Sequence, residues 1–462
     1  MADAGPSLPS ARGGDGATKP TTIGQQDGDE YEFPLKPIKR VRSYSGSLGD
    51  VGAALGLDIG GSLAKLVIFE PEQTSNQGLK NLTSFIRKND KYGETGQRCN
   101  DLSFKSTALG GYFHFIQFET SHMSGAIEII KQNGFDQTMK QICATGGGAV
   151  KFSKIFQDVL GIKLTPLDEL GTIVKALQFL VSQNPEEIYS LEGVDLQHTG
   201  EQVQKVPIDL GNGTLYPYML CNIGSGVSIM QVNSETDAKR VSGTALGGAT
   251  FFGLAQLLTE LDSFSDCMDS AAVGDERHVN MLVKDIYGTG IPKFNLPGDF
   301  TASFFGKVKG GTYNAKEQKR EDICKALVVM ITQNISQIAF LNAVIHGSPR
   351  VIFTGSFLRH NPIALRTLAY AMKRWNGKDQ PKRVQAHFLW HEGHLGAMGS
   401  YLENLDLDFF LRNQMQRKSP SLDEKHRQER LAQFYPRALA SNTALKNPPA
   451  PQGNGGGQLK RE

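Results

Sequence analysis

The chain has 462 residues, 39% hydrophobic and 21% charged, with a formal net charge of +2. That length accommodates two domains, and the composition is globular over most of the chain, so a disordered or fibrous class is excluded. The charge balance calls for no nucleic acid, no run approaches the roughly 18 apolar residues of a membrane span, and no signal-peptide core follows Met1; a soluble intracellular protein with no membrane span is the expectation.

Residues 1–51 are rich in Gly, Ser, Pro and Asp and lack apolar periodicity, which predicts a disordered N-terminal arm. Within it, `PIKRVRSYSGSLGD` sets Lys39, Arg40 and Arg42 ahead of Ser43 and Ser45. The cluster reads as a phosphorylation site or nuclear-import patch, or as an ordinary solvated linker. Residues 416–462, with `KNPPAPQGNGGGQLKRE`, predict a flexible tail. The five cysteines, Cys99, Cys143, Cys221, Cys267 and Cys324, form no CxxC pair and read as buried free thiols.

The folded part opens with `ALGLDIGG` and `LAKLVIF`, two strands joined by a glycine turn. `TPLDELGTIVKALQFLVSQ` predicts a helix, with Ile173, Val174, Leu177, Leu180 and Val181 on one face. Its start is expected at Thr165 as N-cap, with Pro166 in the first turn and Asp168 completing a capping box. `YPYMLCNIGSGVSIMQV` repeats the opening plan of apolar run, glycine turn and apolar run. A long helix follows at `EDICKALVVMITQNISQIAFLNAVIHG`, closed by Gly347. Then come the strand `RVIFTGSFL`, the helix `ALRTLAYAMKRW`, the strand `AHFLW` and a last helix in `LGAMGSYLENL`. Alternating strands and helices argue for an α/β class, and the paired glycine hairpins suggest two related lobes, 52–215 and 216–415.

Glycines at a strand-to-strand turn let backbone N–H groups approach an anion, and a nearby hydroxyl and lysine add donors. `DIGGSLAK` therefore has the parts of a phosphate cradle, with Asp58 able to hold Mg²⁺ through its waters; a glycine hairpin with a purely structural role reads equally well. The Walker pattern is absent, `GSGVSI` has Ile229 where a dinucleotide fingerprint needs glycine, and neither HRD nor DFG occurs. `HEGH`, His391 to His394, lacks HExxH spacing and reads as polar residues at a helix start. Five glycine turns at the edges of apolar runs tip the balance: `DIGGS`, `ATGGGAVKF`, `NIGSGVS`, `TALGGATFFGL` and `FTGSF`. This set resembles the superfamily of actin, hexokinase and the heat-shock chaperone ATPases, which implies two α/β lobes closing on ATP.

The ordered blocks `DIGG`, `CATGGGAVKF`, `LDEL`, `NIGSGVSI`, `KRVSGTALGGATFFGL`, `VKDIYG`, `LPGDF`, `FTGSFLR` and `HEGHLGAMG` closely resemble the eukaryotic-type (type II) pantothenate kinases from about Leu55 to Leu402. The resemblance implies transfer of the ATP γ-phosphoryl group to pantothenate, the committed step toward coenzyme A, in a homodimer inhibited by acetyl-CoA or another acyl-CoA. Sequence alone divides the acids of `LDEL` evenly between base and helix-dipole partner; the resemblance assigns the base to Glu169 and leaves Asp168 a capping role. It also implies substrate or acyl-CoA contacts for Ser225 and Ser228, and an essential substrate- or phosphoryl-binding role for Arg240. Trp375 reads either as an aromatic reaching acyl-CoA from the dimer partner or as core packing.

ATP is expected at Gly60, Gly61, Ser62 and Lys65, with Gly247 and Gly248 near the nucleotide, Gly355 and Ser356 near adenosine, and Asp58 toward Mg²⁺. Gly146 to Gly148 are expected to shape the base-bearing lobe. The chain departs from the family at Ser62, where threonine is usual, and at His394, where an aromatic is common. The alternatives are a sugar-type kinase of the same superfold and an inactive CoA-binding relative; the presence of both Glu169 and Arg240 speaks against the latter. A cytoplasmic location is expected, with a nuclear pool left open.

Overall fold

The computed structural model describes residues 55–405 apart from 76, 135, 137–140, 195–202, 209–213, 295, 309–317 and 377–382. The expected N-terminal arm with its basic cluster and the expected C-terminal tail lie outside the described residues.

The first lobe begins with the hairpin β1 (Leu55–Ile59) and β2 (Leu63–Pro71). Most of its residues are buried on both faces of the sheet, so the strands read as apolar runs without clean alternation. There follow α1 (Gln77–Lys88), β3 (Lys91–Tyr92), β4 (Gly96–Arg98), β5 (Phe104–Ser106), β6 (Gly111–Glu119), α2 (Met123–Gln132) and β7 (Gln141–Thr145). Short helices α3 (Gly148–Lys151) and α4 (Ser153–Ile155), strand β8 (Lys163–Pro166) and helix α5 (Glu169–Gln183) complete it. The sheet runs β3-β4-β6-β2-β1-β7-β8, with β5 also on β6.

The second lobe holds β9 (Ile188–Glu192), β10 (Gln204–Pro207), β11 (Tyr218–Ile223), β12 (Val227–Val232), β13 (Ala238–Thr244), α6 (Gly248–Thr259) and α7 (Phe264–Val273). Then come β14 (Met281–Leu282), α8 (Val283–Tyr287), β15 (Thr301–Ser303), α9 (Arg320–Ile345), β16 (Arg350–Thr354), α10 (Pro362–Trp375) and β17 (Gln385–Leu389). Its sheet runs β10-β9-β17-β16-β11-β12-β13, and β14 pairs with β15 separately. The chain ends its described part in α11 (Leu395–Asn404).

The two sheets share one plan. In the first, the antiparallel trio β6-β2-β1 is extended by the parallel strands β7 and β8; in the second, β13-β12-β11 is extended by the parallel strands β16 and β17. Each trio contains a glycine hairpin, β1–β2 in the first and β11–β12 in the second. This is the duplicated, two-lobed α/β architecture of the actin/hexokinase-like class. One core lies between the sheets, where α5 and α11 bring Leu177, Leu180, Ala397 and Leu402 against Phe113, Leu220 and Ile352. Separate cores cover the outer faces, around Leu82, Ile86 and Ile127 in the first lobe and around Leu327, Ile335 and Leu368 in the second.

Four expectations change. The lobe boundary does not fall at 215, because β9 and β10 already join the second sheet: β9 pairs antiparallel with β17, Phe388 opposite Tyr189. The last helix crosses back, packing on β1, β2 and β7 of the first lobe. Thr165 is not an N-cap, since Thr165 and Pro166 are held extended by pairing with Cys143 and Ala144 of β7; the cap is Asp168, whose Oδ2 accepts from Gly171 N at 2.8 Å. Finally, α9 is by length and a hydropathy of 1.5 apolar enough to cross a membrane. Its apolar surface instead packs in the second lobe, where Leu327, Val328, Ile331, Ile335 and Ala339 are fully or almost fully buried. As expected, Gly347 (φ +64°) stands just past the end of α9, and all five cysteines are buried and free.

Candidate active site

The two glycine hairpins face one another. A Cβ built on Gly61 would come within 3.6 Å of Ser225 Oγ, and Gly61, Ser62, Ser225 and Gly226 are exposed at the hairpin tips. The first hairpin is closed by Gly60 N donating to Leu63 O at 2.9 Å. Thr120 braces it: its Oγ1 donates to Gly60 O at 2.9 Å and its N–H to Ser62 O at 2.8 Å. Sequence reasoning missed Thr120, because nothing in β6 or the turn after it signals which strand lies beside the hairpin.

Below the first turn, Lys65 Nζ lies 3.5 Å from Asp58 Oδ2, and both side chains are largely buried. Gly146 and Gly396 close over Asp58; a Cβ on either would lie 2.9 Å or less from the carboxylate. The `ATGGG` turn thus shapes the first hairpin from below, and α11 shapes it from the other side.

Glu169 is the first residue of α5. Asp168 uses its side chain as the cap, and its carbonyl accepts from Thr172 Oγ1. Glu169 is left without a capping duty. Glu169 is exposed to solvent, yet partial desolvation by the surrounding protein first, and then the neighbouring Asp58 and Asp168 carboxylates, push its carboxyl above the ordinary 4.5, against the pull of Lys65. Helix start and first hairpin therefore share one electrostatic environment: three carboxylates, one lysine.

The second hairpin is built by β11 and β12. Helix α6 starts against it, with Gly248 N donating to Gly224 O at 2.8 Å and Ala249 N to Ser225 O at 3.1 Å. A Cβ on Gly247 would meet Ser225 O at 2.5 Å, so this glycine lets the helix start pack under the hairpin. Gly355, with φ +111°, leaves no room for a side chain either: a Cβ would lie 2.2 Å from Ile223 O. Gly355 and Ser356 thus stand beside the same hairpin. Arg240 stands opposite Met230 in the β12–β13 pairing and extends along the strand, Nε 3.4 Å from Ser228 Oγ.

Asp58, Lys65, Glu169 and both hairpins are thereby gathered, with Gly247, Gly248, Gly355 and Ser356 flanking the second. Trp375 stands elsewhere, at the end of α10, packed on the outer core of the second lobe with its ring edge-on to Phe300 at 6.2 Å. The `HEGH` residues do precede a helix, but His391 and His394 are buried rather than exposed at its start.

Chemically, facing glycine tips with an adjacent lysine can cradle a polyphosphate between lobes, and an accessible carboxylate at a helix start, its proton affinity raised by its surroundings, can take a proton from an alcohol. The Fumble family model matches residues 54–403. Pantothenate kinase 1 of Arabidopsis thaliana is 36% identical over 349 residues, covering 75% of this chain and 84% of that protein. The 4′-phosphopantetheine phosphatase of Mus musculus is 32% identical over 355 residues, covering 76% of this chain but only 41% of that protein. Among solved structures, a glucokinase from Balamuthia mandrillaris superposes with a TM-score of 0.34 at 10% identity, over 76% of this chain and 92% of that one. With a family match spanning nearly every described residue and a relative of this identity aligned over most of its length, the chain belongs to the Fumble family, the type II pantothenate kinases.

Proposed function

We propose that this chain transfers the γ-phosphoryl group of ATP to pantothenate, giving 4′-phosphopantothenate and ADP and opening the route to coenzyme A. The observation that carries this reading is the meeting of Glu169 with the Asp58–Lys65 hairpin under a second glycine hairpin. Phosphoryl transfer asks for alignment, a base and positive charge rather than covalent catalysis. In this reading the hairpin tips around Gly60, Gly61 and Ser62 and around Ser225 hold the phosphates, and Lys65 offsets their charge. Glu169 accepts the proton of the attacking hydroxyl as its oxygen bonds to the γ-phosphorus. The bond from that phosphorus to the bridging oxygen breaks, and ADP leaves with the electron pair. Arg240, beside Ser228, binds the acceptor or the transferring group as an always-charged fork.

Among the described residues no group of three or more carboxylate, His or Cys side chains could hold a metal. In this reading Mg²⁺ keeps several waters and is carried mainly by nucleotide phosphates, with Asp58 as the protein residue nearest to hold it. The ion would supply charge neutralisation between the phosphates.

The reading extends to feedback inhibition by acyl-CoA, to a homodimer formed through the helical face of the second lobe, and to a cytoplasmic location. The dimer is supported by Leu341, Val344 and Ile345 at the end of α9, half exposed or more. The test is ATP-dependent phosphorylation of labelled pantothenate by the purified chain, with hexoses as competing acceptors. Label transfer to pantothenate alone supports the proposal; transfer only to a hexose overturns it.

A further inference from the structure

The chain passes between the lobes twice, once from α5 into β9 and once from β17 into α11. Glu187 lies in the first crossing and His391 in the second, 204 residues apart in sequence. They meet in the interior, with 0% and 3% of their side chains exposed. His391 Nδ1 donates to Glu187 Oε2 at 2.6 Å, and His391 N donates to Glu187 Oε1 at 3.1 Å. The other ring nitrogen, Nε2, donates to Leu102 O at 2.9 Å, in the first lobe. The Leu102 carbonyl only accepts, so Nε2 carries a hydrogen, and the Glu187 carboxyl facing Nδ1 favours the imidazolium. Burial opposes that charge, but Glu187 outweighs it and holds His391 above the ordinary 6.5.

The same five-residue crossing makes contacts in both lobes, and the helix it leads into reaches the Asp58 hairpin. Trp390 Nε1 donates to Asp101 O at 3.3 Å. A Cβ on Gly393 would lie 3.2 Å from Ser356 Cα, in the glycine turn of the second lobe. His394 packs edge-on against Phe115, and two residues on Gly396 meets the Asp58 carboxylate. A buried ion pair contributes little stability relative to apolar packing, but it demands one geometry. Here that geometry relates the two crossings to each other and to the first lobe.

We propose that the His391–Glu187 pair is a hinge pin that positions the Gly355–Ser356 turn and the Asp58 hairpin relative to one another for phosphoryl transfer. The proposal rests on the kinase reading above. Both are positioning residues, acting through the backbone they tie together.

The test compares the full-length chain with Glu187→Gln, His391→Gln, the double variant and Glu187→Asp. For each, kcat, both KM values, MgADP affinity by calorimetry and the melting curve are measured well below the transition. The expected result is a roughly ten- to hundredfold loss in kcat/KM for ATP and a weaker MgADP complex in cooperatively melting protein. KM for pantothenate stays unchanged, and Glu187→Asp, which keeps the charge, falls in between. Folded variants with wild-type kcat, KM for ATP and MgADP affinity, and only a lower melting temperature, overturn the proposal. If a single neutral variant fails to fold, the double variant and Glu187→Asp decide by the same readouts. A wild-type chain that binds MgADP but leaves pantothenate untouched overturns the kinase reading alone, and the MgADP titrations still decide the pin.

Discussion

Lys65 stands opposite Asp58 in the register of the first hairpin, its Nζ 3.5 Å from Asp58 Oδ2. Directly opposed residues of paired strands point to one face, so the lysine and the carboxylate together set the field felt by Glu169. Asp58 raises the Glu169 carboxyl and Lys65 lowers it. The acid limb of the kcat/KM profile is therefore expected above the ordinary 4.5, with activity gained as Glu169 loses its proton. Lys65→Met moves that limb further up and Asp58→Asn moves it down, each on lower overall activity. A pH–rate profile at saturating Mg²⁺ checks this; shifts of opposite sign would remove Glu169 from the base role.

Asp168 and Glu169 divide their duties, and single substitutions should separate them. Glu169→Gln is expected to cost on the order of 10²- to 10⁴-fold in kcat with an unchanged melting curve. Asp168→Ala removes the bond from Gly171 N and is expected to cost about 1 kcal/mol of stability, measured by denaturant unfolding, with far smaller loss of turnover. An exchange of these two phenotypes would reverse the assignment.

Gly396 lies against the Asp58 carboxylate, where a Cβ would stand 2.8 Å from Oδ2. Gly396→Ala must displace either Asp58 or the start of α11. A shift of about 1 Å at the reacting centre is expected to cost roughly 10²-fold in kcat, with substrate KM values moving less. Steady-state kinetics on folded Gly396→Ala protein measure it directly.

Glu392 is buried beside Arg359, with the nearest nitrogen 3.7 Å away. Burial dominates the opposing pull of Arg359 and lifts its pKa from 4.5 to about 7. The folded chain then holds the proton that the unfolded chain releases, so this group's contribution to stability declines as pH rises from about 4.5 to about 7. Glu392→Gln is expected to flatten that decline and raise the melting temperature at pH 8 relative to wild type. Melting curves from pH 5 to 8 decide it; parallel curves for the two proteins would exclude the linkage.

Much of the fold could be read from local pattern. Both glycine hairpins interrupt apolar runs, and α5 carries a helical stripe in Ile173, Val174, Leu177 and Leu180 that is buried as expected. The N-cap falls three residues past Thr165, at Asp168, because strand pairing with β7 overrides the local capping preference of Thr165 and Pro166. The convergence of Glu169 with Asp58 and Lys65 depends on how β1, β7 and β8 stack side by side, which no local window contains. Least legible was the interior of the hinge. `HEGH` looks like an ordinary polar helix start, and the partner of His391 lies in a short connection with no motif of its own.

The last described helix completes the first lobe. Gly56 of β1 lies so close to α11 that a Cβ there would meet Ala397 O at 2.1 Å, and Tyr401 stacks edge-on with Phe113 of β6 at 5.1 Å. During synthesis, then, α5 covers part of that face of the N-terminal sheet early, but the cover over β1 waits for the whole second lobe. A chain ending before Leu395 would keep Glu169, both glycine tips and the Gly355–Ser356 turn, yet is expected to depend on chaperones and to be open to degradation.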